Sequence, residues 1–176
     1  PASDQQLANL AEICRKEELD MLTISIRASS YAQSARTLTE YIQAELEIPV
    51  LWGGMHPTLM PGESIQYADM VLQGEGELAI LDLADRLRDG RDDLLGTENM
   101  SFRTGKDQVV KNPLRPLIAD LDALEYRDYT THAHKYFIWG DAYSIGDPMH
   151  GDPVFQMMGS RGCIYKCSYC YNSTYK

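Results

Sequence analysis

The chain is poor in cysteine, in basic residues and in long apolar runs, and each shortage narrows what it can be. Four cysteines in 176 residues do not make a disulfide framework. Three of them, Cys163, Cys167 and Cys170, crowd into one short segment, and clustered thiols of this kind belong to metal or catalytic chemistry in a reducing compartment. Cys14 stands apart in a helical pattern and reads as a small buried apolar residue. Lys and Arg number 16 against 26 Asp and Glu, a formal net charge of −10. That balance excludes a nucleic-acid-coating surface, because phosphate binding needs concentrated cations. No apolar run approaches the roughly 20 residues needed to span a bilayer. A cytoplasmic protein without a membrane span is the expectation. The length suits one full domain or parts of two, and a chain that starts without Met and stops soon after Cys170 reads as a fragment.

The cysteine segment runs Arg161-Gly-Cys-Ile-Tyr-Lys-Cys-Ser-Tyr-Cys-Tyr, a CxxxCxxC spacing with an aromatic residue before the last cysteine. Such a loop can point three thiolates at one inorganic cluster and supply no fourth. One iron of a cubane cluster then lacks a protein ligand and can bind a substrate or cosubstrate, which is an arrangement for catalysis. Zinc is the alternative, with one of His132, His134 or His150 completing a Cys₃His site. Structural zinc sites pair their cysteines as CxxC knuckles, and the three-then-two gap departs from that.

The cysteine segment resembles the radical S-adenosylmethionine (SAM) superfamily. The resemblance implies a [4Fe-4S] cluster on Cys163, Cys167 and Cys170, with SAM chelated to the open iron and cleaved by one-electron reduction to a 5′-deoxyadenosyl radical. The cofactors would carry the hard chemistry and the protein would bind, orient and exclude side reactions. Tyr169 would lie near the adenine, contacting it through its main chain. Many relatives have Pro after the first cysteine. Here it is Ile164, which removes a stiff turn but no thiolate.

Toward the N-terminus, apolar periodicity alternates between strand and helix. Leu7, Leu10, Ala11 and Cys14 fall at helical spacing with Asp4 as the expected N-cap. Met21 to Ile26 reads as a buried strand, and Ser34 to Leu46 as a helix with Ala35, Leu38, Ile42 and Leu46 inward. Ile48 to Trp52 reads as a second strand ended by Gly53-Gly54, followed by a turn through Pro57 and a short helix from Pro61. Met70 to Gln73 is a third strand, and Leu78 to Arg88 a helix stopped by Gly90. Short apolar strands alternating with helices predict an α/β fold with a Rossmann-like, doubly wound parallel sheet.

Ligands of such sheets bind beyond the carboxyl ends of the strands. There the sequence places Ser25, Arg27, Ser29 and Ser30, then Gly53-Gly54-Met55-His56-Pro57, then Gly74-Glu75-Gly76-Glu77. Glycines let the backbone approach a ligand closely, and helical amides near Glu77 favour polar or anionic groups; glycines also serve simply to make turns. The runs Ile48-Pro-Val-Leu-Trp-Gly-Gly-Met-His-Pro-Thr and Ala68-Asp-Met-Val-Leu-Gln-Gly-Glu-Gly-Glu resemble the cobalamin-binding domain that precedes many radical SAM barrels. By that resemblance Ser25, Arg27, Gly53, Gly54, His56, Gly74, Glu75 and Gly76 would line the corrinoid side. No DxHxxG segment, which supplies a cobalt-ligating histidine in other corrinoid proteins, occurs in the sequence. His56, flanked by Gly-Gly and Pro, reads as a turn residue with a supporting role rather than as a cobalt ligand.

Asn99 to Arg103 and Gln108 to Lys111 flank a glycine-containing turn and predict a hairpin, followed by a proline-punctuated linker from Asn112. Residues 130–153 read as a loop, and Val154 to Met158 as the first strand of a TIM-like barrel whose C-terminal end carries the cysteines. The expected division is a cobalamin-binding-like domain over 1–95 lacking its first strands, a hairpin and linker over 96–128, and the start of the radical SAM domain over 129–176. The function these resemblances imply is methyl transfer to an unactivated centre of a small-molecule substrate, with a flavodoxin- or ferredoxin-type electron donor. Open alternatives are a cobalamin-dependent ring-forming cyclase, a radical SAM enzyme without cobalamin, and an iron–sulfur electron carrier.

Overall fold

A computed structural model describes residues 2–91, 93–126, 134–146 and 161–173. It divides into two compact units, one spanning Glu18–Ala119 and one combining Ser3–Glu17 with the chain from Asp120 onward.

The first unit is built on a five-stranded sheet in the order β1-β2-β3-β4-β5. Strands β1 (Leu22–Ser25), β2 (Val50–Gly53) and β3 (Met70–Leu72) run parallel. Between β1 and β2 lies helix α2 (Ala32–Leu46), and between β2 and β3 lie the short helices α3 (Met55–Leu59) and α4 (Pro61–Ser64). Helix α5 (Glu77–Arg88) follows β3. Strands β2 and β3 are short and apolar at their centres, the composition expected where both faces are covered, whereas β1, read as buried, alternates and leaves Thr23 and Ser25 exposed. For β2 and β3 the structure meets that expectation. Trp52 faces α2 and donates from Nε1 to Thr39 Oγ1 at 2.8 Å, while Leu51, Met70 and Leu72 pack with Ala79 and Leu83 of α5. The fold is therefore α/β and Rossmann-like.

The predicted hairpin, β4 (Met100–Gly105) and β5 (Gln108–Lys111), extends this sheet. β4 pairs antiparallel with β3, setting Met70 opposite Phe102 and Leu72 opposite Met100, so the sheet is mixed rather than purely parallel. Met100 and Phe102 thereby join the core beneath α5.

Two details of the helices differ from the sequence reading. The inward face of α2 is Ala35, Thr39 and Ile42; Leu38 and Leu46 are only partly buried. Thr39 can be buried because its hydroxyl is used twice, accepting from Trp52 and donating to Ala35 O at 2.8 Å, which offsets the cost of desolvating it. The segment after Gly54 is helical over Met55–Leu59 rather than a plain turn. Pro57 is tolerated there because it sits in the first turn, where its missing N–H has no intrahelical role.

The lower end of the sheet is fastened by Asp69. Its Oδ2 accepts from Val50 N at 2.9 Å and Gln43 Nε2 at 2.7 Å, and its Oδ1 from Arg103 Nη2 at 2.8 Å. Arg103 N also donates to Asp69 O at 2.8 Å.

The second unit contains α1 (Asp4–Lys16) and a hairpin of β6 (Tyr136–Trp139) and β7 (Ala142–Ile145). Ser3, not Asp4, caps α1: Ser3 Oγ accepts from Gln6 N at 3.2 Å, and Ser3 N donates to Gln6 Oε1 at 3.0 Å, a reciprocal capping box. Asp4 instead lies in the first turn, where its charge suits the helix dipole. Strands occupy part of the segment read as a loop. The Glu17 carboxylate accepts from the Tyr136 hydroxyl and lies 2.6 Å from His134 Nδ1, and Tyr143 OH donates to Glu12 Oε1 at 3.0 Å. The bonds from Tyr136, foremost, and His134 hold the Glu17 carboxyl below the usual range. The strand expected at Val154 to Met158, and His132 and His150, lie outside the described residues.

Burial pushes the Asp69 carboxyl up, but the Val50 amide, Arg103 and Gln43 outweigh it and hold its pKa below the ordinary value. A depressed carboxylate pKa contributes stability that is present above the unfolded value, roughly 3.9, and is lost as pH falls through the folded one. Asp69→Ala is expected to lower unfolding free energy by about 1–3 kcal/mol at neutral pH and to flatten the acid-side decline, as read by urea denaturation across pH.

Candidate functional site

At the carboxyl ends of the three parallel strands, three loops meet. The first follows β1 through Ile26 and Arg27 to a single 3₁₀ turn at Ser29–Tyr31. The second is Gly53-Gly54 entering α3, and the third is Gly74-Glu75-Gly76 entering α5. Ladder-like bonds continue past the strands: Ile26 N donates to Gly53 O at 2.8 Å, and His56 N donates to Ile26 O at 3.0 Å.

Gly54 is required by this close approach. Its φ is +94°, and a Cβ there would sit 3.0 Å from both Ile26 N and Ile26 O and 3.1 Å from Ser25 Oγ. Gly74 also has a positive φ, +77°, but a Cβ would meet nothing nearer than Asn99 Nδ2 at 4.0 Å. Gly54 therefore answers to its neighbouring loop, whereas Gly74 answers to its own backbone conformation and leaves open space above it. Ser25 and Arg27 are exposed, and Gly53, Gly54, Gly74, Glu75 and Gly76 are partly exposed. Apart from His56, the residues expected to line a corrinoid face thus sit on or near the surface at one end of the sheet.

His56 does not. It is 2% exposed. Its Nδ1 lies 3.0 Å from Ser29 Oγ, and its Nε2 is buried without a hydrogen-bond partner. A ligand above the loops does not reach that nitrogen in this conformation, so His56 does not fit a cobalt ligand. It fits a clasp between the first and second loops.

Glu75 is engaged sideways. Its Oε2 accepts from Ile118 N at 2.6 Å, and its carbonyl accepts from Asn99 Nδ2 at 3.0 Å. Asn99 Oδ1 in turn accepts from Arg115 N at 2.7 Å. The linker from Asn112 is therefore tied to the third loop, with Arg115 anchored on Asp82 at 2.7 Å. Asn99 and Thr58, neither evident from sequence as a site residue, organise this end of the sheet. Asn99, read from sequence as the start of a strand, lies just before β4 with a positive φ of 66°, and Asn is one of the few non-glycine residues that tolerate one.

The cysteine loop belongs to the second unit. Cys163 and Cys167 are exposed, Cys170 is partly buried, and none of the three is in a disulfide. Cys170 N donates to Cys167 O at 3.1 Å, placing those two on one turn. Three thiols on an accessible loop are a donor set suited to an iron–sulfur cluster. Among the described residues no three His, Cys, Asp or Glu side chains are gathered closely enough to hold a metal ion, so the loop fits the cluster in its chemistry and not in its geometry. Tyr169 is 91% exposed beside them. No helix among the described residues is long and apolar enough to cross a membrane.

The B12-binding domain family matches residues 2–84. An uncharacterized methyltransferase of Pyrococcus horikoshii is 29% identical, over 98% of this chain and 36% of its own length. The anaerobic magnesium-protoporphyrin IX monomethyl ester cyclase of Rubrivivax gelatinosus is 27% identical, over 78% of this chain and 24% of its own. Among solved structures, the radical SAM methyltransferase TsrM of Kitasatospora setae, with cobalamin and a [4Fe-4S] cluster bound, superposes with a TM-score of 0.54 at 21% identity. A second TsrM structure, with tryptophan and a SAM analogue bound, gives 0.55 at the same identity, and each covers 62% of this chain and 22% of that one. That likeness is one of fold. The chain spans about a third or less of these relatives' lengths. Over residues 2–84, most of them on a Rossmann-like sheet with glycine loops at its strand ends, the chain is thus similar to the B12-binding domain family.

Proposed function

We propose that the full-length protein is a cobalamin-dependent radical SAM enzyme that transfers a methyl group to an unactivated centre of a small molecule. The observation that carries this reading is a match to the B12-binding domain family and a CxxxCxxC loop on one chain. Bound cobalamin would supply the methyl group, and a [4Fe-4S] cluster with SAM the radical initiation. Ser25, Arg27, Gly53, Gly54, Gly74, Glu75 and Gly76 would face the corrinoid, with Ser25 and Arg27 offering side-chain donors and the glycines close main-chain approach. Glu75 would act largely by holding its loop, since its carboxylate accepts from Ile118 N. His56 would support the loops from within. Cys163, Cys167 and Cys170 would hold the cluster, and Tyr169 would lie against SAM. A flavodoxin- or ferredoxin-type protein would deliver the electron.

A second reading, ring formation, is favoured by one observation, the similarity to the Rubrivivax cyclase. Both readings use the same cofactors and differ only in the fate of the activated substrate.

Full-length protein incubated anaerobically with hydroxocobalamin and desalted is expected to retain corrinoid stoichiometrically in its visible spectrum. Retention in a Cys163→Ala variant, free of overlapping cluster absorbance, would assign that signal to the N-terminal domain. No retention with SAM cleavage intact would point to a radical SAM enzyme without cobalamin. Cys163→Ala, Cys167→Ala and Cys170→Ala are each expected to abolish reductive SAM cleavage, measured as 5′-deoxyadenosine. Full cleavage in any one of them would refute the three-thiolate assignment, and an EPR signal of the reduced cluster indifferent to SAM would indicate an electron carrier.

A further inference from the structure

Helix α3 is five residues long and sits between the glycine pair of the second loop and the chain leading to β3. Two of its side chains reach in different directions. His56 Nδ1 lies 3.0 Å from Ser29 Oγ in the first loop. Thr58 Oγ1 donates to Gly54 O at 2.8 Å and accepts from Gly74 N at 3.0 Å, joining the second loop to the third. Gly74 itself holds a left-handed conformation with open space where a Cβ would sit; its neighbours Gln73 and Glu75 are held by Asn99, and its own N–H is held by Thr58.

We propose that His56 and Thr58 are positioning residues: α3 is a clasp that fixes the spacing of the three strand-end loops before cofactor arrives. The inference rests on the cobalamin reading and gives the Gly-Gly-Met-His-Pro-Thr run a physical cause. Gly54 allows the second loop to press on Ile26, and the helix that begins at Met55, with Pro57 in its first turn, is just long enough to send residues 56 and 58 to different neighbours. Loops that sample several spacings bind more weakly in proportion to the fraction of time they are competent. Preorganisation lowers the ordering cost that binding would otherwise carry. Thr58 suits the task because one hydroxyl both donates and accepts. Valine has its shape and neither function, while serine keeps both.

The test uses full-length wild type, Thr58→Val, Thr58→Ser and Ser29→Ala, each titrated with hydroxocobalamin and read by visible absorbance after ultrafiltration. Hydrogen exchange at the Gly74 amide and thermal unfolding of the cofactor-free proteins are read alongside. Thr58→Val is expected to bind about tenfold more weakly, the loss when the competent spacing is populated about a tenth of the time. Its Gly74 amide should exchange faster, and Thr58→Ser should remain close to wild type in both. Ser29 is exposed, so Ser29→Ala removes the other half of the clasp with little risk to folding and should also weaken binding. It keeps the question decidable if Thr58→Val fails to fold. Unchanged affinity in Thr58→Val or Ser29→Ala overturns the clasp, as does a lowered melting temperature with normal affinity, which would mark Thr58 as ordinary scaffold. If wild type holds no hydroxocobalamin, the proposed function fails instead, and Gly74 exchange alone then judges the clasp: unchanged protection in Thr58→Val overturns it.

Discussion

The carboxylate of Asp69 is the point on which the order of the sheet depends. Parallel strands have no hairpins to set their register, so something outside the ladder must fix where β2 begins relative to β3 and where the antiparallel strand joins. Asp69 does so from the residue before β3, by accepting from Val50 N, from Gln43 on α2 and from Arg103 on β4. A charge can be held half-buried here because every donor around it is directed at an oxygen, and charge-assisted bonds are stronger than neutral ones. With the lower ends of β2, β3 and β4 pinned together, the upper ends of β2 and β3 are delivered at fixed heights.

At the upper ends, backbone and side chain divide the labour. Main-chain bonds from Ile26 to Gly53 and from His56 to Ile26 continue the sheet for one step beyond the strands. Side-chain bonds through Ser29, Thr58, Asn99 and Glu75 then tie loop to loop and loop to linker. The surface left over is rich in glycine and backbone, which suits a large ligand recognised mostly through shape and main-chain contacts.

Much of the first unit was legible in the amino-acid order because β2 and β3 are short apolar runs bounded by glycine and its long helices place apolar residues at helical spacing. The glycine runs at strand ends were legible for the same reason that they are needed, since few other residues suit a positive φ or a close approach. The features that stayed hidden depend on partners distant in sequence. Thr39 reads as a polar surface position until Trp52 is seen to donate to it. Pro57 reads as a helix breaker until it is found in a first turn. His56 reads as a turn residue with a supporting role; it is instead buried in a short helix, with its ring against Ser29 across the loop junction. The β6–β7 hairpin was illegible because its residues alternate weakly, and its bonds to α1 join residues far apart in sequence.

The pairing of α1 with that hairpin bears on how such proteins are inherited. Helix α1 falls within residues 2–84, the stretch matched by the B12-binding family, whereas its hairpin partner lies on the far side of the linker, not long before the cysteine loop. Asn9 and Asp141, and Glu17 with His134 and Tyr136, are bonded across most of the chain. A recombination event that exchanged the B12-binding segment between two relatives would separate each helix from the hairpin shaped to it. The two parts are adjacent modules in sequence but co-adapted surfaces in space, so gene fusion and domain shuffling in this lineage would favour exchanges that carry both.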